Sequence, residues 1–499
     1  MKKLFTYLLF LSILPITSCK KWLDVQPQGE TTQELLFASQ KGFRDALTGA
    51  YIRMKSGNIY GGQLYWGHIE YMANNWDLNP ASQNAAITKL QAGAYTDATV
   101  TTWMDNIYQD LFKVVADANG ILDHIDEKKS VFKDDNYAII KGEALTLRAF
   151  CHFDALRLYG PIPSVTGGET NLPYVKSVSS SIHQPLTYTG YTQALLADLD
   201  QAEILLKDVD PITKLSIAEL NPSGTTPGVT DDYLLYRQLR MNYYAVLALK
   251  ARVYLWLVPL GEENRLNAVK YAKMVTDAVS PNGAPVFRLG QESDRAAEDY
   301  TMSSEHIMAL SEFNLKANAN GTFGEQGGLF RYDFNISDGF YYLNNLFPVT
   351  ERTSDVRWKQ MWSYKTSSGA ANFAMYKKFI QREALPILQA PLIRLSEMYL
   401  ILTESAASKT EAETVYSAYC TKKGIPFSTF NGTDWLVDRR NKIIREYVRE
   451  FYGEGQSFFT YKRFNVTTLP SGWTYTYYNA KPEKYLVPKP LREINYNNN

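Results

Sequence analysis

The sequence predicts a mainly α-helical fold in which helix pairs pack in succession and one loop-rich subdomain is inserted between them. Three observations carry this expectation. Apolar residues recur at three- and four-residue spacing through most of 39–280 and again through 391–452. Between 281 and 390 that period disappears, and Gly, Asn, Ser and Tyr accumulate instead. The helical stretches are long, several exceeding fifteen residues, and are separated by short breakers or by loops such as "NPSGTTPGVTDD" at 221–232.

Taken in order, residues 39–54 form the first helix, with Phe43, Ala46, Leu47 and Ala50 on one face. A loop-rich stretch covers 55–100. Helices follow at 102–127 and 134–159; in the second, Leu147, Phe150, Cys151, Ala155 and Leu158 share a face and Gly160-Pro161 ends it. Further helices are expected at 188–206, 232–257 and 265–278. The apolar run at 243–260, "YYAVLALKARVYLWLVPL", carries Lys250 and Arg252 at its centre, where a bilayer would penalise them, so it reads as a core helix. After the insertion come helices at 391–407, 411–423 and 434–452, then an aromatic, Pro-rich tail from 465. Leu392, Leu395, Tyr399, Leu402 and Ala406 step along one face of the first of these. Arg394 and Glu397, three apart, are expected to pair beside that stripe as scaffold.

The N-terminus has its own logic. Two lysines precede an apolar run too short to span a membrane, and Ile16-Thr17-Ser18-Cys19 follows. This is a signal peptide over 1–18 ending in a segment that resembles the bacterial lipobox, which makes Cys19 the lipidated first residue of the mature chain. Acyl chains contribute about 0.8 kcal/mol per buried methylene, enough when several are attached to hold a protein on a membrane. Residues 19–38 then form a tether, 39–280 an N-terminal helical region, 281–390 the insertion, and 391–499 a C-terminal helical region with its tail.

Charge excludes one class of partner. Lys+Arg 52 against Asp+Glu 52 leaves no basic excess to neutralise phosphates, so nucleic acid is not expected. Cys151 and Cys420 lie in helical patterns; buried thiols are favoured over a disulfide between them. The aromatic content, 35 Tyr, 23 Phe and 9 Trp, suits partly wet contact surfaces.

Four segments in order resemble the SusD/RagB family of glycan-binding outer-membrane lipoproteins: "SCKKWLDVQPQGETT" at 18–32, "GEALTLRAFCHFDALRLYGPIP" at 142–163, "PLIRLSEMYLILTES" at 391–405 and "YLVPKPLREI" at 485–494. The resemblance implies a tetratricopeptide-like helical-repeat scaffold, an outer-membrane location facing the cell exterior, and a SusC-like TonB-dependent transporter as partner. Glu446, Glu454, Gly455, Arg463 and Phe464 match the family's C-terminal pattern. Tyr447, Ser457 and Thr460 stand where many relatives carry Arg, Arg and Asp, an exchange consistent with trading a charged cluster for neutral packing.

No catalytic constellation emerges. The five histidines are scattered, no nucleophile elbow or phosphate loop occurs, and the glycines of "GTFGEQGG" at 321–328 lack strand-loop-helix context. No metal or cofactor is expected. Binding fits better than catalysis, with a surface hydrolase, a peptide-binding protein or a purely protein-contacting surface protein as the alternatives. In "GGQLYWGHIEYMANNWDLNP" at 61–80, Trp66, Tyr71 and Trp76 alternate with Asn74 and Asn75, supplying flat rings and short polar groups of the kind a sugar needs. For each tryptophan, packing of the loop onto the helices is an equally good reading. The second candidate is "FRYDFNISDGFYY" at 330–342, with Tyr332 and Tyr341.

Overall fold

The computed structural model describes residues 33–77, 85–165, 168–179, 181–222, 229–323, 328–329, 331–333, 343, 346–352, 354–365, 372–379, 388–470, 477–480, 482–491 and 493. The signal peptide, Cys19, most of the tether, and Tyr341 lie outside them.

Twelve helices organise the described chain: α1 (Gln40–Met54), α2 (His68–Met72), α3 (Ala85–Ala92), α4 (Ala98–Ile125), α5 (Asn136–Tyr159), α6 (Tyr188–Leu206), α7 (Tyr243–Leu257), α8 (Glu262–Thr276), α9 (Leu395–Ser405), α10 (Lys409–Lys423), α11 (Trp435–Glu450) and α12 (Ser457–Arg463). Further helices and 3₁₀ turns of three to eight residues lie before, between and after them, Leu315–Thr322 in the insertion among them. Their starts follow local chemistry. Ser39 accepts from the Gly42 amide at α1, Asp97 from Thr99 and Val100 at α4, Asn242 from Ala245 at α7, and Ser408 from Glu411 at α10. Each cap satisfies an amide with no partner inside its helix. Gly424, with φ +65°, closes α10 in the left-handed conformation that glycine adopts most easily.

Helices stack in series: α1 on α4, α4 on α5, α5 on α6, α6 on α7, α7 on α8, α8 on α9, and α9 on α10 and α11. This order gives a mainly helical architecture of successively packed helices. The middle of the stack is dry. Every residue of α5 from Ile139 to Tyr159 is buried, charged ones included, and each charge has an opposite partner. Glu143 meets Arg237, Arg148 forks onto Asp198 at 2.7 Å, and Arg157 meets Asp154. The "GEALTLRAF" segment thus ties α5 to its neighbours.

Most of the apolar run at 243–260 is interior, 78% buried. Lys250 reaches Asp200 at 2.6 Å and Glu203 at 2.5 Å, and Arg252 reaches Glu397 at 2.6 Å. Its two central charges are neutralised by α6 and α9, as a core helix requires.

Two small sheets frame the insertion. Strand β1 (His306–Ser311) pairs antiparallel with β5 (Gln389–Arg394); β2 (Arg331–Asp333), β4 (Asn372–Tyr376) and β3 (Trp362–Lys365) form a second sheet in that spatial order.

Several expectations need correction. Residues 389–394 are a strand, and the helix expected from 391 starts at Leu395; Pro391 has no amide to give a helix and sits in a ladder instead. The helix expected from 232 begins at Tyr243, after two 3₁₀ turns separated by Tyr236 at φ +53°. Arg394 and Glu397 do not pair with each other: Arg394 turns to Glu305, Glu450 and Glu454, and Glu397 to Arg252. Cys151 and Cys420 are free and buried, and burial pushes both thiols up.

Candidate functional site

The loop at 61–77 is knotted before it can present anything. The Gly62 carbonyl accepts from the amides of Tyr65, Trp66 and Gly67. A Cβ at Gly61 would fall 2.1 Å from the Lys55 carbonyl oxygen, so the turn closes only around glycine. The chain folds back through α2, and Asn74 takes φ +58° to reverse it.

Its aromatic residues point inward. Trp76 is 0% exposed, donates from Nε1 to the Trp66 carbonyl at 2.8 Å, and packs edge-on against Tyr452 with ring centres 5.0 Å apart. Trp66 lies against Phe379 and Phe323 at 5.3 and 5.9 Å. Tyr65 donates to the Pro391 carbonyl at 2.8 Å and Tyr71 to that of Gly328 at 3.4 Å. The Asn75 amide is equally committed. It donates to Ser457 Oγ at 2.8 Å and to Glu70, while the backbone carbonyl of Asn74 accepts from Arg331 Nη1 at 2.8 Å. Arg331 also meets Asp77 at 3.2 Å.

The structure therefore brings Trp66, Tyr71, Asn74, Asn75 and Trp76 together, but as a buried seat rather than an open platform. The seat joins α2 and α12 to Phe323, Arg331, Tyr376 and Phe379 of the insertion. Rings and short amides are what a sugar site needs; they are also what a buried loop needs to fill volume and satisfy its backbone. Tyr332 lies on β2 opposite Phe373. Tyr341 lies outside the described residues.

Within the seat, Glu70 is fully buried, and burial pushes its carboxyl up to about 7 despite hydrogen bonds from Asn75 and the Gly455 amide. Gly455, at φ +74°, passes so near the Leu64 carbonyl that a Cβ would sit 2.5 Å from it, which explains the Glu-Gly pair at 454–455.

Beside the seat lies a charged cluster that the sequence did not reveal. Arg394 forks onto Glu454 at 2.9 and 3.0 Å and reaches Glu305 at 2.9 Å and Glu450 at 2.7 Å. Lys423 bridges Glu305 and Glu450 at 2.6 and 2.7 Å. Arg357 joins Asp355 at 2.8 Å to Glu446 and Glu450, and Lys378 reaches Glu454. Positions 447, 457 and 460 are not members of this cluster. Tyr447 and Thr460 instead line a separate hollow of about 30 Å³ with Arg157, Arg252 and Arg463. Glu446, Glu450 and Glu454 recur every four residues, the one sequence signal that could have located the cluster.

Two larger open hollows lie among the described residues. One, of about 490 Å³, runs between α4 and residues 173–183; the stacked Tyr108 and Phe112 rings meet Val175, Val178 and Ile182 there, beside Lys113, Asn119, Ser177, His183 and Glu493. The other, of about 510 Å³, is lined by Tyr236, Pro285, Val286 and Arg288 together with Asn221, Gln238, Ser303, Ser304 and Gln389. Its amides are chained: Asn221 donates to Gln238 at 2.9 Å, and Gln238 to the His306 carbonyl at 2.7 Å. The His306 ring sits between Gln389 at 2.7 Å and the Thr301 carbonyl at 2.9 Å. Burial lowers the basicity of this imidazole. The ring meets Gln389 Oε1 through Nδ1 and the Thr301 carbonyl through Nε2, which fixes Gln389 at the wall of the hollow. Among the described residues no group of three or more His, Cys, Asp or Glu side chains is placed to hold a metal ion.

Comparison with known proteins agrees with this architecture. Residues 21–213 match a SusD-like family model described as starch-binding and associating with the outer membrane, and residues 318–499 match the SusD family model. Two relatives from Formosa agariphila, SusD-like proteins P25 and P38, are each 24% identical, over 164 and 198 residues. Those stretches are 30% and 40% of this chain, and the chain spans only 29% and 36% of the length of these relatives. A SusD-like carbohydrate binding protein from Bacteroides vulgatus superposes with a TM-score of 0.67 at 17% identity, covering 92% of this chain and 97% of its own. A SusD homolog from Bacteroides thetaiotaomicron gives 0.65 at 14% identity, covering 94% and 98%. The helical stack, the ordered motifs and both family models agree: the chain belongs to the SusD/RagB family, whose members are binding proteins rather than enzymes.

Proposed function

We propose that this chain captures oligosaccharide at the cell surface, anchored to the outer membrane through acylated Cys19, and passes it to a SusC-like TonB-dependent transporter. The observation that carries the reading is the 510 Å³ hollow, in a fold shared with a carbohydrate binding protein. Tyr236 supplies a ring for sugar C–H faces, while Asn221, Gln389 and the paired serines supply the mixed donors and acceptors that hydroxyls require. The volume falls within the range of small-molecule sites. Trp66, Tyr71, Asn74, Asn75 and Trp76 serve this function by holding the insertion in place, and Tyr332 and Tyr341 are the insertion's own candidates for ligand contact. A modest affinity suits the role, because tethering over a transporter raises the local ligand concentration without slowing release.

The test is calorimetry and affinity gels with purified protein lacking residues 1–19, against polysaccharides, oligosaccharides and peptides. Saturable glycan binding that Tyr236→Ala or Gln389→Ala weakens at least about tenfold, or 1.4 kcal/mol, supports the reading. Binding of peptides with silence toward every glycan would replace it with peptide capture.

A further inference from the structure

The charged cluster encloses a second, much smaller space, a cavity of about 20 Å³ with room for one small particle. Six cations line it, Arg295, Arg357, Lys378, Arg394, Lys423 and Arg449, against one carboxylate, Glu450. That carboxylate is already engaged. Its Oε1 accepts from Arg394 and Lys423 and its Oε2 from Arg357, while the single protons of Ser396 and Tyr419 lie nearer Glu305 and Glu446.

Among the described residues the buried cations are unevenly paired. All six are less than a tenth exposed, and the equally buried carboxylates in ion-pair range of them are Glu305, Asp355, Glu446, Glu450 and Glu454. Glu351 adds a sixth only at the edge, where it is 26% exposed and divided between Arg449 at 2.7 Å and Arg445 at 4.0 Å. Arg295 is the unmatched member. It is 2% exposed, gives Nε to Gln360 at 3.1 Å and Nη2 to the Lys423 carbonyl at 3.0 Å, and has no carboxylate in ion-pair range among the described residues. Its Nη1 is buried without an acceptor.

We propose that this cavity binds a small monovalent anion, chloride in the external medium, beside Arg295. Donors surround the space, so its occupant must accept hydrogen bonds. A water molecule would place its two protons on the oxygens of Tyr300 and Tyr376; a halide needs donors alone, which all six cations supply, and adds negative charge beside Arg295, whose Nη1 has no acceptor. Sulfate and phosphate are too large for the space. Burial pulls the Arg295 and Lys378 cations down, Lys378 to about 8, whereas neighbouring carboxylates hold Arg357 and Arg394 up. Arg295, Arg357 and Lys378 come from the insertion while Lys423, Arg449 and Glu450 come from α10 and α11, so the anion would cement one onto the other.

The experiment is a bromide soak of crystals of the protein lacking residues 1–19, with anomalous data at the bromine edge. Thermal unfolding in sodium chloride against sodium gluconate at equal ionic strength accompanies it. An anomalous peak within hydrogen-bond reach of Arg295 is expected, with a Tm several degrees higher in chloride and that difference lost in Arg295→Met. Density that refines as water without anomalous signal overturns the proposal. So does a chloride effect undiminished in a folded Arg295→Met. Should that variant not fold, the bromide map of the parent protein decides alone, and none of these outcomes bears on glycan capture.

Discussion

The aromatic seat and the charged cluster lie side by side and do the same job, holding the insertion against the C-terminal helices, by opposite physics. Trp66, Trp76, Phe323, Phe379 and Tyr452 exclude water and need only close contact. Arg394, Arg357 and Lys423 need every carboxylate in place, because a buried charge without its partner is far costlier than a lost ring contact. The seat should therefore yield gradually to substitution, whereas the cluster should fail abruptly.

The largest effect is expected from Arg394→Ala. It removes the cation shared by Glu305, Glu450 and Glu454, each 4% exposed or less, and leaves them only Lys423, Lys378 and Arg357, so the cost should match the roughly 3–5 kcal/mol of breaking one buried pair. Urea unfolding of the soluble fraction measures it; a loss below about 1 kcal/mol would mean that the cluster contributes little to stability. Trp76→Ala comes next. The ring is fully buried, and the cavity it leaves should cost about 3–5 kcal/mol while glycan affinity of the folded fraction persists. Retained stability with lost affinity would return Trp76 to the ligand surface.

The contrast between the regions also marks what the sequence could reveal. Helix positions were legible because α1, α4, α6 and α10 carry three- and four-residue apolar steps and polar caps at their starts, and residues 188–206 were placed to the residue. The fold family was legible from four ordered motifs. The site was not, since rings alternating with amides look the same whether a sugar or a second subdomain covers them. The cluster was hidden for a different reason: Arg357, Arg394, Lys423 and Glu450 come from four separate segments, and beyond the four-residue spacing of Glu446, Glu450 and Glu454 its ion pairs carry no periodic signature. Strand β5 was hidden by its own burial, because six consecutive interior residues erase the alternation that would separate a strand from a buried helix.

Acid should distinguish the two regions by sign. Neighbouring cations hold the Glu305 and Glu450 carboxyls below their usual range, so the stability they contribute is present above the unfolded carboxyl pKa and is lost as pH falls through their folded values. Glu70 behaves oppositely. With a folded value near 7 against 4.5 unfolded, it stabilises below 4.5, and that contribution disappears between there and 7, roughly 3 kcal/mol in all. Glu70→Gln should flatten this decline: measured against the parent, the variant should gain by about that amount between pH 5 and pH 8. An unchanged slope would mean that Glu70 ionises freely in the folded state.

The smallest effect is expected from Tyr71→Phe, and it bears most directly on the seat. Tyr71 is at the edge, 9% exposed, and its hydroxyl makes only a long contact of 3.4 Å to the Gly328 carbonyl. A hydrogen bond of that length contributes at most about 1 kcal/mol, and its loss leaves the ring and its packing in place. If the seat only supports the insertion, Tyr71→Phe should lower stability by no more than that and leave glycan affinity unchanged by calorimetry. If the hydroxyl instead reaches ligand, affinity should fall severalfold while the unfolding midpoint stays put. Because the two readings move different observables, this single oxygen separates a ring that packs from a ring that binds.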